Sequence, residues 1–195
     1  MKIDKLLSSK KNFNEGIEQL QRLSDRVLPK NISKKLNGCD FVSDALIITA
    51  WLEKGFKEKR APKNLQTIRI CLCEPDCRYD IKLIGYGETF KNNQDMEFDD
   101  VVFRFNSDDE YAGSKVLKDL WEITDTHPKE KIRYLLRDTI FILYISLVMR
   151  FAFSIIPRRL VTGKHIVSIV VGWGDDTMPV RVAQIKPPVT PRGYH

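Results

Sequence analysis

Carboxylates are the side chains whose spacing in this chain most suggests chemistry. Asp95, Glu97, Asp99, Asp100, Asp108, Asp109 and Glu110 fall within sixteen residues, and Arg104 is the single cation among them. Oxygen ligands this dense can hold a divalent cation or meet a basic partner surface. The calcium-loop spacing, Asp-x-[Asp/Asn]-x-[Asp/Asn]-Gly, is absent. Ser107-Asp108-Asp109-Glu110 also has the composition of a helix start, a capping residue followed by acids that favour the positive end of the dipole. A second acidic pair, Asp175 and Asp176, follows Gly172-Trp173-Gly174. The glycines permit a tight hairpin turn, and Trp173 is expected near the surface. Such a loop is either a turn packed on a sheet edge or a recognition loop with an aromatic anchor.

The thiols make a weaker pattern. Cys71, Cys73 and Cys77 form C-x-C-x3-C, without the paired C-x2-C knuckles of common zinc sites. Two thiolates two apart on a strand share a face, so a metal site with Cys39 is geometrically conceivable. The simpler reading makes Cys71 and Cys73 small apolar strand residues and Cys77 part of a turn. Free thiols suit a reducing cytosol. The histidines are His127, His165 and His195, and no G-x-S-x-G elbow, P-loop, H-E-x-x-H or G-x-G-x-x-G occurs. The chain is therefore expected to be non-enzymatic and to need no cofactor.

The scaffold that must position these groups is 195 residues long, 43% hydrophobic and 30% charged, which fits one medium globular domain. The formal charge of +6 divides unevenly: Met1 to Gln66 carries net +6, Thr67 to Tyr111 net −6 and Ala112 to His195 net +6. Nucleic-acid binders gather Lys and Arg on one stripe, often between aromatics. Here the cations are spread over helical faces, so nucleic acid is the lesser reading. The informative sign is the minority one.

Apolar periodicity predicts a helix from Asn12 to Leu28, with Phe13, Ile17, Leu20, Leu23 and Val27 on one stripe and Pro29 as a stop. Lys30 to Gly38 is expected to be a polar connection. A second helix should start near Ser43, with Leu46, Ile47, Ile48, Trp51, Leu52 and Phe56 on a broad apolar face. Thr67 to Cys73 and Tyr79 to Ile84 alternate as a hairpin around Glu74-Pro75-Asp76-Cys77. Gly85-Tyr86-Gly87 should end or bulge the second strand. Phe98 to Phe105 is a third strand, and a short helix begins near Ser114. A long helix is expected from Pro128 to Ile156, apolar all round in its later part, so that Arg150 must reach an edge or find a carboxylate. The apolar run Thr139 to Met149 has only 11 residues, where a membrane span needs about 20. It is read as a core helix, and no membrane association is expected. The N-terminus lacks the apolar stretch and cleavage site of a secretory signal. His165 to Val171 and Met178 to Ile185 make the last hairpin.

These elements predict an α+β domain over residues 1–186, with 187–195 as a flexible C-terminal tail. Its order is α-α-β-β-β-α-α-β-β, with a mostly antiparallel sheet of about five strands packed with helices, one of them long and central.

Four features of the second half then follow one another: the strand ending at Asn106-Ser107, the short helix with Leu117, Leu120 and Trp121, the run Arg137 to Leu147, and Val170-Val-Gly-Trp-Gly-Asp-Asp176. From Asp99 to Ile185 the chain resembles small uncharacterised bacterial proteins that end in a Gly-aromatic-Asp hairpin, including immunity proteins of polymorphic toxin systems. The resemblance implies a cytosolic protein that binds and blocks a cognate toxin without catalysis. One departure is the net charge, since inhibitors of nucleases are usually acidic. A basic toxin surface could then be met only by the acidic middle. The expected binding residues are Asp99, Asp100, Asp108, Asp109, Trp173, Asp175 and Asp176, and the expected location is the cytoplasm. Two other readings are a basic nucleic-acid-associated protein and a metal-dependent hydrolase with Asp99, Asp100 and Asp175 as ligands.

Overall fold

A computed structural model describes residues 12–73, 80–87, 101–105, 111–162, 165–173 and 179–187. The first helix, α1 (Phe13–Val27), starts where Asn12 Oδ1 accepts from the Glu15 N–H at 2.9 Å, and it buries Ile17 and Leu20. The expected connection after Pro29 is instead a helix, α2 (Lys30–Asn37). Ile32 and Leu36 alone, one turn apart, carry it into the core. Ser33 and Asn37 both donate to Asp25 of α1, which fastens the two helices together. Two apolar positions among three cations are too few to register as a periodic stripe.

Helix α3 (Phe41–Glu58) is capped by Asp40, two residues before the expected start. Its inner face holds Ala45, Ile48, Leu52 and Phe56, whereas Leu46 and Ile47, expected inside, are 51% and 48% exposed. After the sheet's first three strands come α4 (Lys115–Thr126), capped by Ser114, and α5, the 26-residue helix Glu130–Ile155. Within α5, Leu135–Phe141 is π-helical, an irregularity that hydrophobic patterning does not register. A short helix, α6 (Arg158–Val161), follows Pro157. By length and composition α5 could cross a membrane, but 61% of its most apolar window is buried within this fold. It packs on α1, α3 and the last two strands, as a core helix does.

The strands are β1 (Thr67–Cys73), β2 (Asp80–Tyr86), β3 (Val101–Arg104), β4 (Val167–Trp173) and β5 (Val180–Ile185), in the order β3-β2-β1-β4-β5. Three of the four pairings are antiparallel, and β1 with β4 is parallel. Tight turns fix direction only within a hairpin. The helical excursion between β3 and β4 leaves the second hairpin free to join the open edge of β1 in parallel. The pairing of β2 with β3 shifts register between Gly85 and Tyr86, where a bulge was expected.

Strand alternation divides the sheet's side chains between two faces. Ile68, Ile70, Leu72, Ile81, Leu83, Val167, Ile169 and Val171 join the helices in one large core. Cys71, Ile84 and Tyr86 form a separate small cluster. Arg69 lies between Ile68 and Ile70 and is 1% exposed, its Nη2 donating to the Trp173 carbonyl at 2.6 Å.

Candidate functional site

The start of α4 is gripped by two carboxylates from distant elements. Asp80, at the head of β2, accepts from the N–H groups of Gly113 at 3.0 Å and Ser114 at 3.3 Å. Asp44 of α3 is 2% exposed and accepts four hydrogen bonds. Ser114 Oγ at 2.7 Å and Tyr144 OH at 2.6 Å reach its Oδ2. The N–H groups of Lys115 at 2.6 Å and Val116 at 3.3 Å reach its Oδ1. A charge can be buried here because it sits at the positive end of a helix and every lone pair is used.

Beside this anchor a cavity of ≈ 620 Å³ opens between the α2–α3 elbow and the first turns of α4. Cys39, Asp40 and Ser43 form one wall, and Lys115 and Asp119 another, with Ile47 at the rim. Asp40 accepts from Ser43 N–H and Oγ, and those bonds hold its carboxyl below the usual range. The Cys39 thiol is pushed from 9.0 up to about 11, by burial first and then by the charges of Asp119 and Asp44. A thiol so placed is protonated at neutral pH and is a poor nucleophile. Burial likewise drives the Tyr144 hydroxyl well above its ordinary value, with Asp44 adding to the shift. On α3, Val42, Leu46 and Ile47 leave a run of apolar side chains 52%, 51% and 48% exposed beside the cavity.

Of the residues expected to bind a partner, Asp99, Asp100, Asp108, Asp109, Asp175 and Asp176 lie outside the described residues, as do the Glu74–Cys77 turn and the tail 188–195. Trp173 is described and is not the surface anchor expected. It is the last residue of β4, on the same face as Val171, and is 5% exposed within the main core. The Arg137 guanidinium lies over its ring, 4.3 Å from the centroid. Gly172 and Trp173 belong to the strand and not to a turn.

β2 is antiparallel to both β1 and β3, and β4 is parallel to β1, so β1, β3 and β4 all run the same way. The C-terminal ends of β3, at Arg104, and of β4, at Trp173, therefore face one common end of the sheet. Tyr111 returns to bridge Lys82, and Asp80 sits at the same end.

Among the described residues, no group of three or more His, Cys, Asp or Glu side chains could hold a metal ion. Cys39 lies at the α2–α3 elbow and Cys71 in the small sheet cluster. No family model matches the chain, and neither curated proteins nor solved structures provide a significant match.

Asp44, Asp80 and Asp40 were not marked out by sequence as a site, and Cys39 was considered only as a metal ligand beside Cys71 and Cys73. Only the Asp40-x-x-Ser43 spacing carried a local signal, that of a helix cap. The partners of Asp44 stand seventy to a hundred residues away.

Proposed function

We propose that this chain is a non-catalytic protein-binding module, an immunity-type inhibitor that works in the cytoplasm by docking on a basic surface of a toxin domain. The observation that carries the reading is the shared direction of β1, β3 and β4. It turns the described ends of β3 and β4, which precede Ser107-Asp108-Asp109-Glu110 and Asp175-Asp176 in the sequence, toward one end of the sheet, beside the anchored start of α4. Lys/Arg-rich partner surfaces are steered to clustered acids over distances comparable with the Debye length. The exposed Val42, Leu46 and Ile47 supply the apolar contact that a charged rim alone lacks. The half-buried, protonated Cys39 thiol supports binding over nucleophilic chemistry at the cavity. With Trp173 in the core, the proposed binding residues are Asp99, Asp100, Asp108, Asp109, Asp175 and Asp176, with the α3 apolar side chains added.

Co-expression tests this reading. The product of the adjacent reading frame, expressed alone, should arrest bacterial growth, and co-expression of this chain should restore it. A neighbouring product that is harmless alone, or whose toxicity this chain leaves untouched, overturns the proposal.

A further inference from the structure

We draw no further inference here: the strongest candidate, the exposed apolar strip of Val42, Leu46 and Ile47 on α3 beside the cavity at the α2–α3 elbow, belongs to the site already described, and nothing in the structure shows what covers it.

Discussion

Asp44 is the side chain on which the most separate elements depend. It stands on α3, caps α4 through two backbone N–H groups and ties in Tyr144 from α5. Asp44→Asn removes the charge that faces the α4 dipole and turns one acceptor into a donor directed at groups that donate already. The expected cost is about 2–4 kcal/mol, against about 1–2 kcal/mol for Tyr144→Phe, which removes one bond and no charge. Urea unfolding at neutral pH reads both, and an Asp44→Asn midpoint equal to wild type contradicts this role. Sequence alone marked this residue only as one more polar position on a helix. Its importance comes from burial and from partners set by tertiary packing, which no local spacing encodes. Trp173 went the other way for a related reason. A Gly-Trp-Gly-Asp-Asp string reads as a turn tip, but the strand runs through Trp173 and alternation points the ring inward with Val171.

The periodic elements were the legible ones: α1, α3, α4, α5 and all five strands stand where apolar spacing and caps indicate. The exceptions were short helices. α2 has eight residues and α6 four, too few turns for a stripe to emerge. Parallel pairing of β1 with β4 was illegible too, because hairpin signals fix only neighbours in sequence. Within α3, Gly55 shows how close packing constrains an element. A Cβ there would collide with the ring of Phe105. That ring is held edge-on to Trp51 at 5.0 Å and to Phe56 at 5.4 Å, so it has little room to yield. Gly55→Ala gains about 1 kcal/mol of helix propensity and loses about 1–3 kcal/mol to overpacking. A Tm lowered by a few degrees is expected in calorimetry. Gly38→Ala is the contrast, since its Cβ meets only two carbonyl oxygens at 3.5 Å and its φ is −84°. No loss of Tm is expected there, and a stabilised Gly55→Ala would mean that the aromatic cluster gives way.

Across the whole molecule, charge is divided along the chain: Met1–Gln66 carries +6, Thr67–Tyr111 −6 and Ala112–His195 +6, and a net charge of +6 hides this because the opposed signs cancel in the sum. The proposed protein binding depends on the acidic middle of the sequence. Its most direct test is the association rate of this chain with the toxin domain proposed as its partner, measured by stopped flow at low and high salt. Asp108→Lys with Asp109→Lys should slow association about tenfold at low salt and leave little difference at high salt. A double reversal that associates at the wild-type rate, with the wild-type salt dependence, contradicts the account.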